Sequence, residues 1–204
     1  MSVEQAAAAA SIPEEERQRA DLYVLLARLL IRAPDEPTLD AIRKLQGGEG
    51  PVGEAIDALA AVARAKTAGA IDDEFHALFI GLDQGEVVPY ASHYLTGRLY
   101  DAPLASLRAD MAERGIGWDE SIKEPEDHIA AVCEMMAGLI LGVFGDHPAS
   151  IDEQRSFYEA HLAPWAGDFF TDLAEAEAAT FYMPLARLGS HLMALEGQAF
   201  RLAV

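Results

Sequence analysis

The sequence predicts an all-α protein, a single compact helical domain of roughly nine to ten helices over residues 13–204, preceded by a flexible N-terminus at residues 1–12. Three observations carry this. Apolar residues recur at helical spacing along most of the chain, and no stretch alternates apolar and polar as a half-buried strand does. Hydrophobic residues make up 51% of the 204, enough for a real core despite the charge. That length also fits one domain.

The elements follow in order. Ser11-Ile-Pro-Glu14 has the spacing of a capping box, with acidic residues in the first turn. It opens a helix whose Leu22, Leu25, Leu26, Leu29 and Leu30 form one apolar stripe, ended by Ala33-Pro34-Asp35. Leu39, Ile42 and Leu45 mark a short second helix, and Gly47 to Pro51 a loop. Val52, Ile56, Leu59 and Val62 repeat at helical spacing up to Gly69. Phe75, Leu78 and Phe79 lie on another helix, closed by Gly81. From Gly81 to about Tyr100 the helical pattern fails through Gly85, Pro89 and Gly97, while Tyr90, Tyr94 and Tyr100 keep the segment aromatic. Such a loop is either pinned into the core or part of a binding surface. Pro103 starts a helix through Leu104, Leu107 and Met111, stopped at Gly115-Ile116-Gly117. Residues 124–144, 151–162, 164–178 and 180–202 read as further helices.

Lys and Arg number 15 against 34 Asp and Glu, a formal net charge of −19. That field repels nucleic acid and anionic membrane surfaces and attracts basic partners. The single cysteine, Cys133, excludes an intrachain disulfide and a cysteine-based zinc site. It sits in the apolar run from Ile129 to Met136, where a buried structural thiol is expected. The N-terminus lacks the basic and apolar regions of a signal peptide, and no run of about 18 apolar residues occurs. A cytoplasmic protein without membrane insertion is the expectation.

The segment Lys123-Glu124-Pro125-Glu126-Asp127-His128 carries the most local information. Proline suits a first helical turn, and acidic residues there favour the positive end of the helix dipole, so a purely structural reading exists. Continued at about 100° per residue, a helix starting here collects Ile129, Val132, Cys133, Met136, Ile140 and Val143 on one face. Glu124 and Asp127 then project to the other side, with His128 beside Glu124, poised to change charge near neutral pH. Ala131, Gly138 and Gly142 line that second side, interrupted by Glu134, so the helix is expected to be packed on two sides. A metal-dependent hydrolase using Glu124, Asp127 and His128 is one alternative, but there is no His-Glu-x-x-His spacing. Neither a Gly-x-Ser-x-Gly elbow nor a phosphate-binding Gly-Lys-Ser/Thr loop is present. No catalytic residue, metal or cofactor is expected.

Four blocks in sequence order resemble one family. Glu124-Pro125-x-Asp127-His128 resembles the Glu-Pro-x-Asp-His signature of the TorD/DmsD/NarJ redox-enzyme maturation chaperones. Upstream, Phe75 to Gly81 is similar to that family's aromatic-x-x-Leu-Phe-x-Gly element, and Pro89-Tyr90-Ala-Ser92-His-Tyr94 to its Pro-Tyr-x-Ser-x-Tyr loop. Downstream, His161 to Trp165 and Phe181-Tyr182 resemble its C-terminal helices. The resemblance implies an all-α fold without catalysis. It also implies a partner: the twin-arginine leader and apo form of a molybdopterin-dependent oxidoreductase, held until its cofactor is inserted. Leader binding is carried over to Glu124, Pro125, Asp127, His128, Phe79, Pro89, Tyr90 and Ser92. Some members form domain-swapped dimers, so a monomer and a swapped homodimer are both expected forms.

Physical chemistry agrees with that implication. A leader with two guanidinium groups followed by an apolar stretch needs carboxylates beside an apolar groove. Glu124 and Asp127 are the candidate carboxylates, and Phe75, Phe79, Tyr90 and Tyr94 candidate groove walls; Phe75 and Phe79 also read as ordinary core. The negative charge would speed encounter with a basic peptide. A scaffold that binds only the client's folded subunit is the remaining alternative.

Overall fold

Ten α-helices form among the described residues, which are 12–81, 85–118 and 122–202 of a computed structural model. They are α1 (Glu14–Ile31), α2 (Glu36–Ile42), α3 (Gly50–Ala65), α4 (Ala68–Phe75), α5 (Ala91–Thr96), α6 (Ala102–Glu113), α7 (Ile129–Leu141), α8 (Ile151–His161), α9 (Ala166–Glu175) and α10 (Tyr182–Leu202). A π-helical turn, His76–Ile80, continues α4. In place of strands the described residues hold one isolated antiparallel bridge, Tyr90 to His128. None of these helices is long and apolar enough to cross a membrane.

Local chemistry sets most of the ends. Asp35 accepts the Thr38 N–H at 3.0 Å to start α2. Thr67 accepts from Ala70 at α4, and Ser150 with Glu153 forms a reciprocal capping box at α8, which satisfies N–H groups that have no partner within the helix. At α1 the first turn holds Glu14, Glu15 and Glu16 after Pro13, with no side-chain cap. Ser11 of the expected capping box, and all of the expected flexible arm but Ile12, lie outside the described residues.

Helix α7 occupies the middle. Eleven of its thirteen residues are buried, which a helix achieves only when neighbours cover it on nearly all sides. It packs along α1, while α10 packs against α9 and α3. Cys133 is fully buried in this core, and burial pushes its thiol far above the usual range, as a structural thiol requires.

Two long-range polar contacts join distant parts. Glu74 is buried, and its Oε1 accepts the N–H groups of Thr180, Phe181 and Tyr182 at 2.7, 2.7 and 2.9 Å. It thereby caps the N-terminus of α10 from the other half of the chain, while its Oε2 takes Lys66 Nζ at 2.7 Å. Arg19 of α1 forks onto Glu196 of α10 through Nε and Nη2, at 2.8 and 2.7 Å.

Two expectations are corrected here. The helix predicted over 124–144 begins only at Ile129 and ends at Leu141. The backbone before it is committed elsewhere: Ala91 N–H donates to Asp127 O at 3.0 Å, and Ile129 N–H to Pro89 O at 2.9 Å. These two bonds hold His128 extended beside the 89–91 segment, so that coiling starts only after it. Conversely, the span from Gly81 to Tyr100 is not helix-free, because α5 lies within it. Its N-terminal N–H at Ser92 is satisfied by the Asp127 carboxylate, 35 residues away, at 2.8 Å. A cap supplied from that distance leaves no local sequence signal.

Candidate functional site

The two motif segments, Pro89–Ser92 and Glu124–His128, form one unit. Its foundation is the π-helical turn, whose Ala77 and Leu78 carbonyls receive the N–H groups of Glu86 and Val87 at 3.3 and 2.9 Å. Gly85 permits this approach: a Cβ there would stand 2.4 Å from Leu78 O and 2.6 Å from the Phe79 carbonyl carbon. The chain then runs through buried Pro89 into the bridge with His128.

Asp127 is the interior keystone of this unit. It is 1% exposed, and its Oδ2 accepts both the Ser92 N–H at 2.8 Å and the Ser92 Oγ–H at 2.5 Å. Its Oδ1 has no hydrogen-bond partner among the described residues. Asp127 therefore does not project outward beside Glu124, as the extended helix predicted.

His128 is corrected in the same way. It is the N-cap of α7, with Nδ1 accepting the Ala130 N–H at 3.1 Å, and its ring meets Tyr90 edge-on at 5.1 Å between centroids. Burial pulls its imidazolium down to about 4, so the ring stays neutral at physiological pH and the expected switch near pH 7 is absent.

Glu124 is the carboxylate that reaches the surface. It is half-buried and accepts the hydroxyl of Tyr90, itself half-buried. Burial first, and then this hydrogen bond, hold the Tyr90 phenol well above its ordinary value, so it remains a donor. Pro125 is also partly exposed, and its carbonyl accepts the His128 N–H at 3.1 Å, closing the turn. Glu126, a variable position of the signature, is the residue sequence reasoning passed over. It is buried and takes a two-pronged contact from Arg108 of α6, at 2.9 Å from Nε and 2.7 Å from Nη2. Burial alone would raise its carboxyl, but the Arg108 hydrogen bonds outweigh that and hold it below the usual range. A charged residue whose partner lies 18 positions upstream, in another helix, gave no readable signal.

The four aromatic candidates separate into different places. Phe75 and Phe79 pack with Tyr182, at 6.0 and 5.5 Å between centroids, at the head of α10. Phe75 is buried and presents almost no surface to a guest. Tyr94 lies against Trp165 and Phe169 and donates to Asp172 at 2.9 Å. Only Tyr90 stands beside the carboxylates. The proposed metal set does not converge either: Glu124 turns to Tyr90, Asp127 to Ser92 and His128 to the α7 backbone. Among the described residues no group of three or more His, Cys, Asp or Glu is placed to share a metal ion.

Comparison with known proteins gives this geometry its family. Residues 46–171 match the family model described as nitrate reductase delta subunit, well over half of the chain. The chain belongs to that family. It is 28% identical over 191 residues to the chaperone protein TorD of Vibrio atlanticus, covering 84% of this chain and 89% of that protein. The TorD of Shewanella pealeana is 27% identical over 191 residues, covering 83% and 84%. The match to TorD of Vibrio parahaemolyticus is shorter, 29% over 122 residues and 57% of that protein. A crystal structure of an Archaeoglobus fulgidus protein described as a redox enzyme maturation protein superimposes with a TM-score of 0.58 over 87% of this chain and 94% of that one, at 19% identity. That likeness bears on the fold. With relatives named as chaperones, membership of the TorD/NarJ family makes this chain a maturation chaperone and not an enzyme.

Proposed function

We propose that this chaperone holds the twin-arginine leader, and the apo form, of a molybdopterin-dependent oxidoreductase in the cytoplasm, delaying export until the cofactor is inserted. The observation that carries the reading is the half-buried Glu124 carboxylate, oriented by Tyr90 on a loop that Asp127, Ser92 and the Tyr90–His128 bridge hold in place. A carboxylate at the surface with one lone pair already engaged is prepared for a guanidinium, which donates two parallel N–H groups. Glu124 takes the direct role, with the Tyr90 ring beside it. Asp127, His128, Pro89, Pro125 and Ser92 act by positioning that loop. Phe75, Phe79 and Tyr94 support the helices on which it rests.

The test is calorimetric titration with a peptide carrying an arginine pair followed by an apolar stretch. Affinity is expected to fall as salt rises, and to drop about tenfold when the arginines become lysines, since the lysine point charge loses the forked contact. Glu124→Gln is expected to weaken binding by a similar factor. Equal affinity for both peptides, with no effect of Glu124→Gln, would eliminate the arginine–carboxylate pairing. Capture of the client's folded subunit irrespective of its leader would favour the scaffold alternative.

A further inference from the structure

Along α7, an open groove of about 340 Å³ runs between α1, the 116–118 turn and the residues that follow α7. We propose that this groove receives the apolar stretch that follows the arginine pair; the inference rests on the leader-binding reading above.

Four observations support this occupant. First, the walls are apolar and unusually open. Val24 and Ile122 are each 44% exposed and Val143 62%, grouped around the partly exposed Trp118. Large apolar side chains exposed singly need no explanation, but a contiguous group lining one groove marks a contact surface. Second, the floor is kept low by small residues. Ala131 and Gly138 form it, and a Cβ on Gly138 would stand 2.3 Å from Phe144 Cε2, so Phe144 lies directly on the helix and closes one end. Third, one wall of the groove lies close to the carboxylate site. Ile122 is two residues from Glu124, so their Cα atoms are at most about 7 Å apart. A peptide with a guanidinium on Glu124 therefore has one wall of the groove within reach of its next residues. Fourth, the groove's charge suits a basic guest. Glu134 is its charged lining residue, exposed and without an ion pair among the described residues. A second copy of the chain is a poor fit, because it would set Glu134 against Glu134 between two molecules of net charge −19.

The experiment compares two synthetic peptides, one with an arginine pair followed by a leucine-rich stretch, the other with serines in place of the leucines. Val143→Glu and Ile122→Asp change exposed side chains, and circular dichroism checks that each variant is folded. Each is expected to weaken the leucine peptide about tenfold, the loss of one apolar anchor, and to leave the weaker serine peptide unchanged. Glu124→Gln is expected to weaken both. The leucine peptide should also shift Trp118 emission to the blue, an effect absent in Trp118→Phe. Full affinity in both groove variants, with Glu124→Gln still weakening binding, overturns the groove and leaves the leader reading standing. If neither peptide binds the unaltered protein, both readings are overturned. A concentration-dependent dimer in sedimentation that Val143→Glu abolishes assigns the groove to a second copy, and also overturns the inference.

Discussion

His128 shows how a motif residue can be fixed by its surroundings rather than by reactivity. Its Nδ1 is unprotonated where it accepts from Ala130, and burial disfavours the charged ring, so the folded protein binds this proton only near pH 4. The unfolded chain binds it near 6.5. Between those values the unfolded state holds more protons, so stability rises with pH. The contribution is complete above about 6.5 and is lost as pH falls toward 4. Each pH unit in that window costs about 1.4 kcal/mol at most, or about 2 kcal/mol between pH 7 and 4.5. His128→Asn keeps a side-chain acceptor for the Ala130 N–H but does not titrate. Urea unfolding from pH 7 to 4.5 should therefore show the unaltered protein losing about 2 kcal/mol more than the variant. Parallel pH profiles for the two would show that the ring is not held neutral by burial.

Among the helices, α10 depends on a residue outside itself. Three N–H groups at its start converge on Glu74 Oε1, and Lys66 balances the buried charge through Oε2. Removing the carboxylate leaves three donors and an ammonium without their acceptor. Glu74→Ala is thus expected to cost about 3–5 kcal/mol, in the range for breaking a buried pair. Glu74→Gln, which keeps one acceptor for the backbone but turns an N–H₂ group toward Lys66, should cost less. Thermal or urea unfolding measures both, and a loss below about 1 kcal/mol in the alanine variant would contradict the capping role. The same contact shows what periodicity can and cannot reveal. Helices built on regular apolar spacing, such as Glu14–Ile31 and Tyr182–Leu202, were legible within a few residues. The motif residues of the candidate site were legible as well. Their arrangement was not, because Asp127 caps a helix 35 residues away and the Tyr90–His128 bridge overrides a good local helix start. Long-range hydrogen bonds of this kind leave no trace in spacing. Treating Glu-Pro-Glu-Asp-His as the first helical turn therefore put Asp127 on the wrong side of the surface.

Across the molecule, the family match at residues 46–171 excludes α1 and all of α10, yet neither part is an appendage. Helix α1 covers the central α7, α10 closes over α9 and α3, and the Arg19–Glu196 fork joins the two ends. The whole is one core wrapped in a surface of net charge −19. That charge acts in opposite directions on folding and on recognition. Like charges spread over a compact surface repel one another, which destabilises the folded state relative to the more expanded unfolded chain. Salt shortens the range of this repulsion to about 4–5 Å by roughly 0.5 M. Adding sodium chloride from low ionic strength to that level is expected to raise Tm by about 2–4 °C, corresponding to about 1 kcal/mol for a chain of this size. The same addition weakens attraction for a basic leader, so its affinity falls while stability rises. Scanning calorimetry and peptide titration on one salt series would measure the two together. A Tm that stays flat or declines with salt would mean that local pairs such as Arg108–Glu126 and Lys66–Glu74 outweigh the general repulsion, because their screening destabilises the fold.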